Sequence, residues 1–395
     1  MSNFPMDLIV DILSRLPVKP LLRFRCVSKP WCALIDDPDF IKLHLNRSIN
    51  TKSHLNLILN DCSLSSVNFD SLDNATKLKP PLKWTDFGIE VLGSCNGLIC
   101  LYNGEEDVCI WNPSTRKHRK LSVNNPDKSP FFFTKHQNII YGFGYDFVTD
   151  DYKLMRTTRF HGKNWELFES EVRVYSLKSN SWRRIQDFPY YLRDSLWHGV
   201  FVGGALHWVV SRNYESDSVN FLVAAFDLTN EEYRLVPQPE FSDEDFYICV
   251  GELDGCLCIF CDYDQVRFDV WVMKDYGVKE SWTKLFSIAK PQGIRLFDSV
   301  TPVAYSKSGG EVLLVQDNDN LIWFDLEHKT VKNINIHGLP KLFVTNMCVE
   351  SLVPLKGEGE TREEAERTRE QENKKKNQKK NRKKRITRGK SCCWF

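Results

Sequence analysis

Short strand-like runs that recur through residues 54–355 constrain this fold more than any other feature of the sequence. Each run combines β-branched, aromatic and leucine residues, and Gly, Asn or Asp separates it from the next run, as is typical of many short strands. Corresponding runs start 64, 51, 45 and 53 residues apart, close to the period of about 50 residues in kelch repeats. The runs begin at Val108, Val172, Val223, Phe268 and Leu321.

These repeats predict an all-β, kelch-like β-propeller with six blades. A glycine-marked hairpin arm precedes most of the runs, as at Gly203-Gly204 and Asp254-Gly255. Five blades are directly visible, and a sixth can be assembled from Leu55–Leu59 together with Phe343–Val353. Joining both ends of the domain in one blade would close the ring and leave few exposed strand edges. A twisted sandwich of similar strands is the alternative, because the pattern alone does not exclude it.

Residues 1–47 have a different pattern, with prolines between short segments of helical periodicity. Pro17 ends the first helix because its ring clashes with the preceding turn and it has no N–H to donate. Asp37 is a suitable N-cap for a later helix that starts at Pro38. The first helix has an apolar stripe formed by Leu8, Ile9, Ile12, Leu13 and Leu16. Such short helices carry more apolar surface than they can bury themselves, so we expect a partner protein to cover it.

The formal net charge of +1 conceals a strongly basic C-terminal tail. Residues 356–395 contain 15 Lys and Arg against 7 Asp and Glu, so residues 1–355 carry a net charge of −7. This mildly acidic body gives no reason to expect a nucleic-acid partner. The tail has low complexity and cannot bury a core, so we expect it to be disordered or to form a lone solvated helix.

The sequence is compatible with more than one subcellular location. Met1–Asp11 lacks the basic and apolar regions of a secretory signal, so we expect a protein of the cytoplasm and nucleus. The tail ends in Cys392-Cys393-Trp394-Phe395, which makes Cys392 a candidate for prenylation and would place a fraction of the protein at a membrane. Lys383-Lys384-Arg385 is compatible with nuclear localisation or with a nonspecific basic tail.

No constellation of residues predicts catalysis. The sequence lacks a serine nucleophile elbow, a zinc-protease helix motif and a phosphate-binding glycine loop. His207 beside Trp208 has no nucleophile paired with it in the sequence and is better explained as a core histidine. Cys256, Cys258 and Cys261 lie in a strand pattern where alternate residues share a face, which favours buried thiols over a zinc site. We therefore expect no catalytic residue, metal, cofactor or disulfide.

Two parts of the chain resemble known plant proteins. Residues 5–31 closely resemble the F-box of plant F-box proteins, through PMDLIVDILSRLPVK at 5–19, LLRFRCVSK at 21–29 and Trp31. Residues 54–355 resemble the F-box-associated interaction domain, through SCNGLI at 94–99, WNPST at 111–115, GFGYD at 142–146 and DGCLC at 254–258. Within this family the chain resembles a regulator of plant defence, and that resemblance implies intracellular immune receptors as targets.

The resemblance implies a substrate-recognition subunit of a Skp1-cullin-F-box (SCF) E3 ubiquitin ligase, an adaptor without catalytic activity. Its F-box would bind a Skp1-like adaptor and, through it, cullin and a RING protein. The propeller would present a protein substrate for ubiquitination and proteasomal degradation, through residues that the sequence does not identify. The residues carried over as the Skp1-binding surface or its immediate support are Pro5, Leu8, Ile12, Leu13, Leu16, Pro17, Leu21, Phe24, Val27 and Trp31.

Two other functions stay open at the level of sequence. One is a propeller enzyme with carboxylates or a metal lining the central channel. The other is an F-box scaffold that binds Skp1 but acts outside the ligase.

Overall fold

The computed structural model describes residues 5–61, 63–105, 107–121, 136–161, 167–192, 198–211, 221–241, 246–263, 267–289 and 299–355. Four α-helices come first, and one short 3₁₀ turn at Lys279–Ser281 interrupts the strands that follow. Across these ranges, no helix combines the length and apolar character needed to span a membrane.

The helices are α1 (Met6–Ser14), α2 (Val18–Phe24), α3 (Lys29–Ile35) and α4 (Pro38–Asn50), which we call the N-terminal helical unit. Prolines and polar caps set their limits. Pro17 directly precedes α2 in an extended conformation. The Ser28 hydroxyl accepts a hydrogen bond from the backbone N–H of Trp31 at the start of α3. Asp37 accepts from the N–H groups of Asp39 and Phe40, which satisfies donors that the first turn of α4 would otherwise leave unpaired.

Apart from the 3₁₀ turn, the other regular elements of the described chain are strands. They are β1 (Leu55–Asn60), β2 (Leu64–Asn68), β3 (Ala75–Lys77), β4 (Glu90–Cys95), β5 (Leu98–Tyr102), β6 (Val108–Asn112), β7 (Lys117–Leu121), β8 (His136–Asp146), β9 (Asp151–His161), β10 (Leu167–Ser176), β11 (Ser181–Arg184), β12 (Tyr191–Leu192), β13 (Val200–Val202), β14 (Ala205–Ser211), β15 (Leu222–Asp227), β16 (Tyr233–Val236), β17 (Tyr247–Leu253), β18 (Cys256–Tyr263), β19 (Arg267–Met273), β20 (Trp282–Ala289), β21 (Val300–Tyr305), β22 (Glu311–Gln316), β23 (Asn320–Asp325), β24 (Val331–Asn333) and β25 (Val344–Val349).

These strands form six antiparallel sheets arranged as the blades of a propeller. Blade 1 has the order β25-β1-β2-β3, blade 2 contains β4 to β7, and blade 3 contains β8 to β11. In blade 4, β12 and β13 both pair with β14, and β15 and β16 follow. Blade 5 contains β17 to β20 and blade 6 contains β21 to β24. The innermost strands β25, β4, β8, β13, β17 and β21 contact one another in that order and return to β25, so the ring is closed.

Blade 1 joins the two ends of the domain. β25 pairs with β1 in antiparallel register, with Leu55 opposite Val349 and Asn60 opposite Val344. The six-blade prediction, including the assembly of one blade from both ends, is therefore confirmed, and the sandwich alternative is wrong. Closure in this way replaces two open sheet edges by a hydrogen-bonded ladder.

A repeated polar cap explains why the sequence runs were recognisable. Each predicted run coincides with the third strand of a blade, and in most blades its last residue is a short polar one that accepts hydrogen bonds from the following hairpin. Asp227 accepts from the N–H groups of Thr229 and Asn230. The same role falls to Asn68, Asn112, Ser176 and Asp325. Side-chain caps of this kind replace backbone bonds in tight turns.

Candidate protein-binding surfaces

The N-terminal helical unit exposes an apolar surface that its own packing does not cover. Leu8 and Ile12 lie one turn apart on α1, so they share a face, and they are 51% and 55% exposed. Val27, in the turn after α2, is 63% exposed, and Pro5 is also exposed. Exposed apolar side chains of this kind on a small unit are typical of a protein-binding surface.

The other predicted contact residues support this surface. Leu13 and Leu21 are 2% and 0% exposed and belong to the core. Phe24 and Trp31 are half-buried and form an edge-to-face pair with ring centroids 5.5 Å apart. Leu16 and Pro17 are also half-buried. The predicted set thus divides into an exposed part, a half-buried part and a buried support.

Sequence reasoning missed Met6, which is exposed on α1 at the edge of the same unit. The resemblance to the F-box did not single it out. The signal that could have found it is its place in the first turn of α1, although Met6 and Leu8, two residues apart, lie on different faces of the helix.

The N-terminal helical unit packs directly onto the propeller. One hydrophobic cluster contains Leu13, Val18 and Leu21 from the helices together with Leu98 of blade 2 and Leu154 of blade 3. The backbone N–H of Val18 also donates to the Glu350 carboxylate, with 3.0 Å between the atoms. A shared core and a direct hydrogen bond make the two parts one packed body.

Three contacts show that the unit lies across one end of the central channel. Val18 reaches Glu350 just after the inner strand of blade 1. The ammonium of Lys42 lies 2.7 Å from Asp150, in the turn after the inner strand of blade 3. The ammonium of Lys52, just beyond α4, lies 3.0 Å from Asp254, in the turn after the inner strand of blade 5. Because blades 1, 3 and 5 alternate around the ring, the unit spans the channel mouth. Both ion pairs are exposed, so each contributes less than about 1 kcal/mol.

Residues 350–355 connect the N-terminal helical unit to blade 2. The fully buried amide of Asn112 donates to the backbone carbonyls of Ser351 (3.0 Å) and Val353 (3.1 Å). Leu352 and Leu355 belong to the same hydrophobic cluster as the helices. This segment, which we call the C-terminal latch, therefore lies between blade 2 and the N-terminal helical unit.

Two stacked histidines lie at the junction. The Nε2–H of His44 donates to the carbonyl of Leu16 over 2.8 Å, and the rings of His44 and His54 stack with centroids 6.3 Å apart. Burial lowers the pKa of His44, since an imidazolium is poorly solvated there. We therefore assign His44 a structural role in its neutral form.

His207 is built into the core in the way the sequence favoured. Its Nδ1–H donates to the carbonyl of Val200 (3.1 Å), so its Nε2 accepts from the Tyr276 hydroxyl (2.7 Å). Burial lowers the pKa of His207 to about 4. Both ring nitrogens are thus engaged in structural hydrogen bonds.

The cysteine-rich strand of blade 5 also has a packing role. Cys258 and Cys261 are fully buried in β18, and burial raises the pKa of the Cys261 thiol to about 12. Among the described residues, no cluster of three or more His, Cys, Asp or Glu side chains is placed to hold a metal. The candidate lipidation site Cys392 and the basic tail lie outside the described residues.

Comparison with known proteins identifies both parts of the chain. An F-box domain model matches residues 1–43, and an F-box associated beta propeller domain model matches residues 55–353. The F-box protein CPR1 of Arabidopsis thaliana is 41% identical over 89% of this chain and 89% of its own length. F-box protein At4g22390 of the same plant is 34% identical over 89% and 90%.

Solved structures add little to this result. An oligogalacturonate lyase from Vibrio parahaemolyticus superimposes with a TM-score of 0.41 at 9% identity, over 72% of this chain and 74% of the lyase. That likeness is too low to bear on function. The sequence matches are decisive for the family, and the N-terminal helical unit is its F-box. The chain belongs to the family of F-box proteins that carry an F-box-associated β-propeller domain.

Proposed function

We propose that this protein is the substrate-recognition subunit of an SCF E3 ubiquitin ligase, in which the exposed face of Leu8, Ile12 and Val27 binds a Skp1-like adaptor. The observation that carries the proposal is the combination of an F-box with exposed apolar side chains on it. Burying three such side chains in a partner would contribute several kcal/mol, at about 1.5–3 kcal/mol for each one buried completely.

The protein itself catalyses no bond change in this proposal. Its role is to hold a target protein near the ubiquitin-charged enzyme that cullin and the RING protein recruit. Tethering raises the effective concentration of the target lysines, which replaces a bimolecular encounter by an intramolecular one. Since the F-box lies across the channel mouth where the inner strands end, the propeller end where those strands begin is available for the target.

The similarity to a plant defence regulator suggests intracellular immune receptors as the targets. We propose that the protein meets them in the cytoplasm and nucleus, and that lipidation of Cys392 directs a fraction of it to membranes. Mass spectrometry of the C-terminal peptide from plant tissue would test the lipidation, and an unmodified Cys392 in membrane fractions would contradict it.

Capture of a Skp1 homologue by the full-length chain tests the main proposal. We expect the double variant Leu8→Asp/Ile12→Asp to lose at least about tenfold in affinity, because two carboxylates would be buried without partners. Both positions are exposed, so folding should be unaffected, whereas Leu13→Asp would disrupt the core.

Phe87→Asp is the matched control, because Phe87 is an exposed apolar residue in the connection between β3 and β4, far from the F-box helices in sequence. Equal capture of Skp1 by wild type and by Leu8→Asp/Ile12→Asp would refute the docking surface. Capture of Skp1 without cullin would instead support a scaffold outside the ligase.

A further inference from the structure

Two exposed aromatic side chains lie on the connection between blades 1 and 2. Phe87 is 78% exposed and Trp84 is 44% exposed. Leu82 and Ile89, on either side of this pair, are buried in the hydrophobic cluster that joins the two blades. The chain is therefore anchored in the core before and after the two aromatic residues, and the segment between the anchors projects into solvent.

Local hydrogen bonds hold Phe87 at the tip of a tight turn. The N–H of Gly88 donates to the Thr85 carbonyl over 3.0 Å, and the N–H of Phe87 donates to the Thr85 hydroxyl over 3.3 Å. That hydroxyl donates in turn to the carbonyl of Asn103, between β5 and β6, over 2.5 Å. Gly104 lies so close that a Cβ on it would clash with the Cβ of Phe87. The backbone of Phe87 is thus fixed while its ring stays in solvent, so the ring would lose little conformational entropy on binding.

This segment lies at the propeller end opposite the F-box. Glu90, the first residue of β4, pairs with Tyr102 at the end of β5. The turn between β5 and β6, to which Thr85 is bonded, is therefore at the end where β4 begins. The F-box contacts the turns that follow the inner strands, at their other ends. The aromatic pair is thus on the end of the propeller that the F-box leaves uncovered.

Carboxylates surround the aromatic pair. The described charged side chains between the two anchors and in the adjoining strand ends and turn of blade 2 are Lys83, Asp86, Glu90, Glu105, Asp107 and Lys120. Asp107 lies 3.6 Å from Lys120, and Glu90 lies 3.0 Å from His198. Asp86 and Glu105 are exposed, and neither has a cationic partner within the described chain. The surface is therefore acidic, with four carboxylates against two ammonium groups.

Surface apolar residues that occur singly are common, but here two aromatic residues lie at one fixed turn beside two unpaired carboxylates. From this arrangement we infer that Trp84, Asp86, Phe87 and Glu105, which we call the aromatic–acidic surface, bind an arginine-containing segment of the target protein. The inference deepens the proposed function, and it rests on the propeller being the target-binding part.

The chemistry of the aromatic–acidic surface identifies this partner. A guanidinium stacks on the face of a Trp or Phe ring, and its N–H groups can donate two parallel hydrogen bonds to one carboxylate. The net charge of −7 over residues 1–355 also favours association with a basic segment. A Lys ammonium supplies the charge without the planar fork, so arginine is favoured over lysine.

Binding of a labelled peptide to the full-length chain, purified with its Skp1 homologue, tests the inference. The probe is a twelve-residue peptide of alternating Arg and Ser, compared with peptides in which Lys or Gln replaces every Arg. We expect the Arg peptide to bind most tightly, the Lys peptide more weakly and the Gln peptide not at all. Asp86→Asn/Glu105→Gln should weaken binding of the Arg peptide at least about fivefold, the effect of losing about 1 kcal/mol. Equal binding of the Arg and Gln peptides would overturn the inference.

Glu280→Gln/Glu327→Gln is the charge-matched control. Both residues are exposed, and they lie in the hairpins that follow β19 and β23. The control therefore changes the net charge equally without touching the aromatic–acidic surface, and it should leave peptide binding unchanged. If the two double variants weaken binding alike, the attraction is nonspecific and the inference is overturned.

Phe87→Leu tests the aromatic contribution, because it keeps an apolar side chain and removes the ring face. We expect it to weaken binding of the Arg peptide about two- to fivefold. Phe147→Leu is the matched control, since Phe147 is 65% exposed in the turn after β8, at the F-box end. Wild-type binding by Phe87→Leu would overturn the inference. Trp84→Leu should give a loss of the same size and supplies a second test if Phe87→Leu lowers the thermal midpoint.

Two other occupants of the surface would also overturn the inference. One is the basic tail of this chain, residues 356–395 with 15 Lys and Arg. Binding of the Arg peptide that appears only after deletion of the tail would assign the surface to the tail. The other is a second copy of the chain, which would be shown by a dimer in light scattering that Phe87→Asp converts to a monomer.

Skp1 retention in the same preparations reports on the proposed function separately. If the wild-type chain fails to retain Skp1 but binds the Arg peptide, the proposed function is refuted and the aromatic–acidic surface stands. If it retains Skp1 but does not bind the Arg peptide, the surface alone is overturned.

Discussion

Replacing Asn112 tests whether the C-terminal latch couples the F-box to the propeller. The Asn112 side chain is fully buried, donates to the carbonyls of Ser351 and Val353, and accepts from the N–H groups of Ser114 and Thr115. Asn112→Ala removes these four bonds, together with a longer one to the Ser351 hydroxyl (3.4 Å), and leaves both latch carbonyls without this partner. At about 1–2 kcal/mol for each buried group left unpaired, the two latch bonds contribute about 2–4 kcal/mol.

Asp325→Ala isolates this contribution. Asp325 caps the equivalent hairpin of blade 6 by accepting from the N–H groups of Glu327 and His328. Its one other side-chain contact is the exposed pair with the His328 ring, which contributes little to stability, so its side-chain bonds stay within that hairpin. The difference between the two variants in the free energy of unfolding, measured in urea, should therefore be about 2–4 kcal/mol. Hydrogen exchange should also show faster opening of α2 and α4 in Asn112→Ala, because Leu352 and Leu355 pack against the helices.

Equal destabilisation by the two substitutions, within about 0.5 kcal/mol, would refute this account, since the bonds to the latch would then contribute nothing measurable. Unchanged exchange in α2 and α4 would separately contradict the coupling of the latch to the F-box.

Three further predictions concern the same framework. Gly97→Ala should destabilise the protein more than Gly255→Ala. Both glycines have φ near +80°, so the backbone strain is similar. A Cβ at Gly97 would lie 2.5 Å from the Ser351 hydroxyl and the Val349 carbonyl, whereas nothing lies within 4 Å of a Cβ at Gly255. Equal thermal midpoints would contradict this. The pKa of His207 is about 4 in the folded state and about 6.5 in the unfolded state. Its contribution to the free energy of unfolding is therefore complete above pH 6.5 and is lost as the pH falls toward 4. The loss amounts to about 2 kcal/mol between pH 7 and pH 5. In His207→Gln the urea midpoint of unfolding should therefore depend less on pH over that interval. Leu13→Ala should cost about 2–5 kcal/mol, while Leu8→Ala should change the stability by less than about 0.5 kcal/mol and act on Skp1 affinity alone; similar losses of stability would refute the division between support and surface.

Local chemistry explains how much of the fold could be predicted. In most blades the third strand was visible because it ends in a residue that caps its own hairpin, as Asn112, Asp227 and Asp325 do with the same bonds. The run of blade 5 ends at Met273 and was visible through its apolar pattern alone. These caps act between near neighbours in the chain, so they leave a periodic mark in the sequence. The apolar face of α1 was visible for the same reason, through helical spacing.

Contacts that depend on tertiary structure leave no periodic pattern in the sequence. Nothing near Asn112 in the sequence indicates that its amide is bonded to Ser351 and Val353. The cross-strand alignment in blade 3 was also hidden, because Arg156, Arg173 and Arg184 become neighbours only through strand register, and a slip of one residue would move them to the other face. Both features depend on pairings between distant segments, which a single sequence does not specify.

The latch gives the assembly its geometry. A flexible tether between the F-box and the propeller would let the target lie at many distances from the ubiquitin-charged enzyme. The effective concentration of the target lysines would then fall as the tether became longer. Here the F-box shares a core with blades 2 and 3 and with Leu352, and it contacts turns of blades 1, 3 and 5. In the proposed ligase, a target held by the propeller would consequently lie at a fixed distance from Skp1. The packing of the latch would then fix the position of the bound target for ubiquitin transfer. Weakening that packing should lower the rate of ubiquitination even when Skp1 and the target both remain bound.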